Sequence, residues 1–107
     1  MDKSVAVKMV LLIFRDSLEE DIMSLLKQFG VKAFTEVHNV EGLGETGAAF
    51  HSFTWPGKNS MILAAMPEGH ADRLIKGVRE FRDRQVQQQH GLRLPLRAFV
   101  LSGLESV

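Results

Sequence analysis

Two histidines flank the most glycine-rich part of the chain, and their side chains are candidates for metal binding. His38 and His51 are accompanied by Glu45 and by two further carboxylates, Glu36 and Glu41. Two imidazoles and a carboxylate form a ligand set that zinc, copper or nickel accepts. Their spacing matches no recognised ligand pattern, so ordinary, partly exposed histidines are the competing interpretation. A divalent metal site of His38, His51 and Glu45 is therefore one hypothesis for this chain.

Three glycines within six residues could bring the backbone close to a ligand. Gly42, Gly44 and Gly47 would present bare N–H groups of the kind that bind phosphate. Neither the Walker fingerprint nor the dinucleotide-binding fingerprint is matched, so tight turns at the base of a loop are the alternative explanation.

Catalytic chemistry is not indicated by the residue types present. The chain has no cysteine, which removes thiolate nucleophiles, disulfides and cysteine-ligated metal sites and favours a reducing compartment. Ser52, Ser60 and the four histidines allow a catalytic triad on paper, but any chain of this size offers such combinations. We expect a protein without enzyme activity.

The charge balance argues against nucleic acid and membranes as partners. Lysine and arginine number 13 and acidic residues also number 13, so the formal net charge is zero. Basic residues between Arg73 and Arg84 alternate with acidic ones, which is typical of a solvated, salt-bridged helix face. The longest strongly apolar run, Met9–Phe14, is too short to span a bilayer. We expect a cytoplasmic protein with no nucleic-acid partner and no membrane insertion.

The first half of the chain predicts a strand, a helix and a second strand. Val5–Phe14 is almost continuously apolar and rich in β-formers, as in a central strand buried on both faces. A capping box of Ser17 and Glu20 predicts the start of a helix, and Gly30 predicts its end. Val31–Val40 mixes apolar and polar residues as a strand with one solvated face does.

The second half predicts a strand, a helix and a final strand. Met61–Met66 is a short apolar run that suits an interior strand. Apolar residues at helical spacing predict an amphipathic helix over about residues 69–89. Leu96–Leu101, entered through Pro95, predicts the last strand.

This order of elements predicts one α+β domain over residues 1–107. Its fold class is ferredoxin-like βαββαβ, a four-stranded antiparallel sheet with two helices on one face. The uncovered face would leave apolar side chains in water, so we expect self-association, with three sheets packed around a threefold axis as a homotrimer.

The connection between the two middle strands is longer than the fold requires. Two adjacent antiparallel strands need a hairpin of about two to five residues, whereas residues 41–60 contribute about 20. Connections of this length in compact domains are usually functional or disordered.

Three segments give the chain a resemblance to a known family. Thr35-Glu36-Val37, the Gly42, Gly44 and Gly47 cluster, and Trp55-Pro56-Gly57-Lys58-Asn59-Ser60 resemble the P-II family, in particular its diverged P-II-like members. The resemblance implies a trimeric signalling protein that binds adenine nucleotides (ATP, ADP or AMP) in clefts between subunits. It also implies that about residues 41–60 form the equivalent of the family's T-loop, which contacts a membrane transporter or a metabolic enzyme.

The resemblance assigns the effector site to the loop base and to nearby basic residues, namely Gly42, Gly44, Gly47, Lys58, Arg93 and Arg97. Two family features are missing. The chain has no tyrosine for nucleotidylation, and residues 89–97 lack the Thr-Gly-x-x-Gly-Asp-Gly-Lys phosphate loop. Arg93 and Arg97 could still neutralise an anion. A metal-handling protein of P-II-like or CutA-like type, using His38, His51 and Glu45, is the alternative function.

Overall fold

The structure, a computed structural model, describes residues 6–40, 58–88 and 94–105. In chain order its elements are β1 (Val7–Arg15), a short 3-10 helix (Asp16–Leu18), α1 (Glu19–Gln28), β2 (Thr35–His38), β3 (Asn59–Pro67), α2 (Glu68–Gln88) and β4 (Leu96–Leu101).

The strands form one four-stranded sheet in the order β2-β3-β1-β4, and every neighbouring pair is antiparallel. The most apolar segment, β1, is central, because a strand paired on both sides has no polar edge to present to water. The two helices follow β1 and β3 and cover the same face of the sheet. This arrangement confirms the predicted ferredoxin-like α+β fold.

The core lies between this face and the helices. Alternate residues of the two central strands, among them Leu12, Phe14 and Ile62, are completely buried there. The helices contribute apolar side chains at helical spacing, such as Ile22 of α1 and Leu74 of α2. A single core therefore joins both helices to strands β1, β3 and β4.

The opposite face of the sheet is apolar, and neither helix covers it. Register places Leu11 beside Leu63 on one side and Phe99 on the other, in one row across this face. At the edges, Val37 of β2 remains 40% exposed and Leu101 of β4 remains 50% exposed. A continuous apolar surface is thus presented by all four strands.

The capping-box prediction at Ser17 and Glu20 is wrong. The chain forms a 3-10 turn over Asp16–Leu18 before α1 begins at Glu19, and Leu18 at the N-cap makes no side-chain capping bond. Burial of Leu18 in the core determines this local geometry more strongly than the capping preference does. The end of the helix is as predicted, with Gly30 in the left-handed region at φ 72°.

Strand boundaries also differ from the prediction. Only Thr35–His38 of the predicted Val31–Val40 strand is extended and paired, whereas β3 is longer than Met61–Met66 at both ends. The pairing partner sets these limits, since β2 has a neighbour on one side only. Among the described residues, neither helix combines the length and the hydropathy needed to cross a membrane.

Candidate functional site

All four strands have one terminus at the same end of the sheet, which is called this edge below: β1 and β2 end there, and β3 and β4 begin there. The Asp16 N–H donates to the Lys58 carbonyl at 2.9 Å, and the Arg15 N–H donates to the Pro95 carbonyl at 3.1 Å. These bonds tie the end of β1 to the chain that enters β3 and β4. Because β2 is antiparallel to β3, its last residue also lies at this edge.

The chain leaves β2 through a tight, defined turn. Asn39 has φ 58°, a left-handed conformation that asparagine tolerates better than most residues. The Val40 N–H then donates to the Asn59 carbonyl at 2.9 Å. This bond holds the two ends of the long connection side by side.

Basic residues lie at this edge. Lys58 is exposed and immediately precedes β3, and Arg97 is half-buried near the start of β4. Arg97 pairs with Ile13 and therefore belongs to the open face of the sheet. Arg15 lies on the same face, because side chains alternate between the two faces along β1. The sequence analysis did not select Arg15 as a site residue.

The helix-covered face carries a different, acidic and imidazole-bearing cluster. Glu36 and His38 are two residues apart on β2 and so project from the same face, where His38 pairs with Ser60. Glu19 reaches them from the first turn of α1. One ligand atom each from Glu19, Glu36 and His38 lies within 4.8 Å of the others.

A hydrogen-bond chain orients the His38 ring. The Ser60 hydroxyl, which is completely buried, donates to Asp16 Oδ1 at 2.9 Å. Its oxygen lies 3.1 Å from His38 Nδ1. Since a hydroxyl has one hydrogen to donate, His38 Nδ1 must be the donor in this second bond. The other ring nitrogen, Nε2, lies 3.8 Å from Glu36 Oε1.

Glu19 and Glu36 are neighbours in the cluster, and their proximity affects the pKa of Glu19. Burial raises the pKa of the Glu19 carboxyl from 4.5 to about 7, and hydrogen bonding with Glu36 and repulsion from its charge act in the same direction. His38 and Asp16 also face Glu19, His38 opposing the rise and Asp16 adding to it. Glu36 Oε2 is buried and has no hydrogen-bond partner among the described residues.

This geometry is not that of an activated serine. A general base must offer a lone pair to the hydroxyl, whereas His38 presents an N–H to Ser60 and Ser60 donates to Asp16. The chemistry that the cluster does offer is ligation, through one imidazole nitrogen and two carboxylates.

The structure brings some predicted site residues together and separates others. Lys58 and Arg97 lie at the same edge of the sheet, while His38 lies on the opposite face from Arg97. Sequence reasoning missed Glu19, Asp16 and Ser60 as neighbours of His38, and no local signal joins residues so distant in the chain. The remaining predicted residues lie outside the described residues: Gly42, Gly44, Gly47, Arg93, His51 and Glu45.

Solved structures with this architecture include several P-II-like proteins. CPII from Thiomonas intermedia K12 bound to ADP, AMP and acetate has a TM-score of 0.59 and 24% identity, over 92% of this chain and 86% of that chain. The same protein bound to ADP, AMP and bicarbonate has a TM-score of 0.57 and 23% identity, over 91% of each chain. These likenesses are likenesses of fold.

A more distant likeness is to a putative PII-like signaling protein from Thermus thermophilus, with a TM-score of 0.54 and 18% identity over 92% of this chain and 86% of that chain. No curated protein sequence matches this chain. The family model described as nitrogen regulatory protein P-II matches residues 7–100, from the first residue of β1 almost to the end of β4. The fold of this chain and its match to the family model together show that the chain belongs to the nitrogen regulatory protein P-II family.

Proposed function

We propose that this protein is a regulatory protein that binds a small anionic effector and has no catalytic activity of its own. An adenine nucleotide is the first candidate for that effector. Membership of the P-II family supports the regulatory role. The similar CPII structures, whose bound molecules are ADP, AMP and acetate or bicarbonate, support a nucleotide or another small anion as the ligand.

The observation that carries this proposal is the meeting of four strand ends at one edge of the sheet. The long connection leaves that edge at Val40 and returns to it at Lys58, and the segment before β4 returns to it at Leu94. An anion bound there by Lys58 and Arg97 would contact both returning segments. Arginine and lysine are suited to phosphate because each makes charge-assisted hydrogen bonds.

The effector clefts in this proposal lie between subunits of a homotrimer. The open face of the sheet carries the apolar row of Leu63, Leu11 and Phe99, which water would otherwise contact. Packing three copies through these faces would remove that surface from solvent. Arg97 belongs to the same face, so association would bring it to the boundary between two subunits.

Residues 41–60 are the segment through which the bound effector would act on a partner, a membrane transporter or a metabolic enzyme. The two ends of that segment are fixed to each other by the bond between Val40 and Asn59. A ligand at this edge would favour one arrangement of the segment over others, and so change the surface offered to the partner.

Calorimetric titration with ATP, ADP and AMP tests the effector site. We expect Lys58→Gln and Arg97→Gln each to weaken nucleotide binding about 10-fold or more, because each removes a charge-assisted hydrogen bond worth about 1.5 to 3 kcal/mol. Lys76→Gln, on the exposed face of α2, is the matched control and should bind as the unaltered protein does. Absence of heat at millimolar nucleotide, with the oligomer intact, would remove adenine nucleotides from the proposal.

A further inference from the structure

We propose that Glu19, Glu36 and His38 bind a divalent transition-metal cation, with Zn²⁺ as the reference ion. The three side chains come from two elements, the first turn of α1 and the edge strand β2, and their ligand atoms lie within 4.8 Å of one another. This site is on the helix-covered face of the sheet, whereas Arg97 is on the open face. The three proposed ligands therefore do not include any residue of the proposed effector site.

The first argument is the orientation of the imidazole. His38 Nδ1 donates to Ser60, which in turn donates to Asp16. In a neutral imidazole this places the lone pair on Nε2, the nitrogen that faces Glu36. A histidine that binds a metal characteristically donates its other ring N–H to an anchored acceptor, which fixes the ring and its protonation. The pair of Ser60 and Asp16 supplies that anchor.

The second argument is the unpaired carboxylate oxygen. The side chain of Glu36 is only 18% exposed, and its Oε2 atom is buried without a hydrogen-bond partner among the described residues. A buried polar atom of this kind is destabilising unless something satisfies it. The other oxygen of this carboxylate, Oε1, lies 3.8 Å from His38 Nε2, beyond hydrogen-bond distance. A bound cation would give this carboxylate a partner.

The donor set indicates the class of cation. One imidazole nitrogen and two carboxylate oxygens suit Zn²⁺ and its neighbours, whereas Mg²⁺ and Ca²⁺ prefer oxygen alone. Bonds of about 2.0 to 2.2 Å around a tetrahedral ion hold its ligand atoms about 3.3 to 3.6 Å apart. Binding would therefore draw together the three ligand atoms, which lie within 4.8 Å of one another. His38 is 63% exposed, so the cation has a route in from solvent and room for a water ligand.

Such a cation would join α1 to the end of β2. His38 is followed by the Asn39 turn from which the long connection departs. Occupancy would therefore hold the base of that connection against the first helix.

Zn²⁺ affinity, measured by competition with a chromophoric chelator, tests the site in the full-length protein. We expect the unaltered protein to bind one Zn²⁺ per chain in a way that excess Mg²⁺ does not displace. His38→Ala and Glu36→Gln should each lower the affinity at least 10-fold. Ser60→Ala, which leaves all three ligands in place, should lower it about 10- to 100-fold by releasing the ring. Co²⁺ bound at the site should lose its visible absorption in His38→Ala.

Glu20→Gln is the matched control, because Glu20 is adjacent to Glu19 but exposed and outside the cluster. It should bind Zn²⁺ as the unaltered protein does. Unchanged affinity in His38→Ala would overturn the proposal, as would absence of binding by the unaltered protein or a loss produced by His51→Ala alone. Circular dichroism establishes that each variant is folded, and if Glu36→Gln does not fold, the exposed His38 position decides the outcome.

Discussion

The neighbours of Glu19 change the pKa of its carboxyl group. It lies in the first turn of α1, where a helix dipole would stabilise a negative charge. Burial and the adjacent Glu36 oppose ionisation more strongly, so its pKa rises to about 7. At this position the tertiary environment outweighs the local preference of the helix.

The raised pKa predicts how the stability of the metal-free protein depends on pH. A group whose pKa is higher in the folded than in the unfolded state contributes fully to stability below its unfolded pKa. That contribution declines as the pH rises from about 4.5 to about 7, the ordinary and folded values for Glu19. We expect Glu19→Gln to remove this decline, so the variant should gain stability relative to the unaltered protein as the pH rises.

Urea unfolding at several pH values, with a chelator present, measures this effect. Asp16, Glu36 and His38 also face Glu19, so the comparison is made between variants rather than with an absolute curve. Glu20→Gln is the control, since Glu20 is exposed on the same turn. The same pH dependence in Glu19→Gln and in the unaltered protein would contradict the assigned pKa.

At the scale of elements, the two helices approach each other closely where α1 ends. Gly77 lies in the middle of α2, and a Cβ atom built there would overlap the ring of Phe29, the C-cap residue of α1. Glycine normally weakens a helix interior. Its presence here is explained by the room that the Phe29 ring needs.

Gly77→Ala should therefore destabilise the protein despite alanine's higher helix propensity. Overpacking typically costs about 1 to 3 kcal/mol, and the gain in propensity returns about 1 kcal/mol. We expect a net loss of up to about 2 kcal/mol in the free energy of unfolding, measured by chemical denaturation.

Gly69→Ala is the matched substitution in the same helix. A Cβ at Gly69 meets only the end of the Arg73 side chain, at an ordinary contact distance of 3.6 Å. This variant should be unchanged or more stable by up to about 1 kcal/mol. Equal effects of the two substitutions would show that the Phe29 ring moves away without cost.

At the scale of the whole molecule, the uncovered face of the sheet is the dominant feature. The central strand is apolar on both sides, yet the helices cover only one of them. On the open face of β1, Met9 and Leu11 are partly exposed in the single chain, whereas Ile13 is buried. The proposed homotrimer is the arrangement that resolves this imbalance.

Two adjacent residues of β4 test that proposal. Leu101 pairs with Met9 on the open face and is 50% exposed, whereas Val100 pairs with Val10 on the other face and is 42% exposed. We expect Leu101→Asp to shift the protein from trimer to monomer, because burying its charge between subunits is costly. The measurement is molar mass by light scattering.

Val100→Asp should leave the trimer intact, since its side chain belongs to the helix-covered face. If the unaltered protein has the mass of a single chain, or if both substitutions act alike, association through the open face is excluded. The effector clefts between subunits would then have to be abandoned as well.

The order of elements and the fold could be predicted from the amino-acid sequence, because hydrophobic periodicity and turn residues are local signals. The Leu96–Leu101 strand and the end of the first helix at Gly30 were predictable for this reason. The P-II resemblance was equally visible, since its segments are contiguous.

Which side chains meet could not be predicted in this way, because it depends on how the elements pack. Glu19, Glu36, His38 and Ser60 come together because α1 crosses the end of β2 and because β2 pairs with β3, relations that no local pattern records. The failed capping box at Ser17 has the same origin, since burial of Leu18 reshaped the turn. Local preferences are weak in energy, and packing outweighs them where the two conflict.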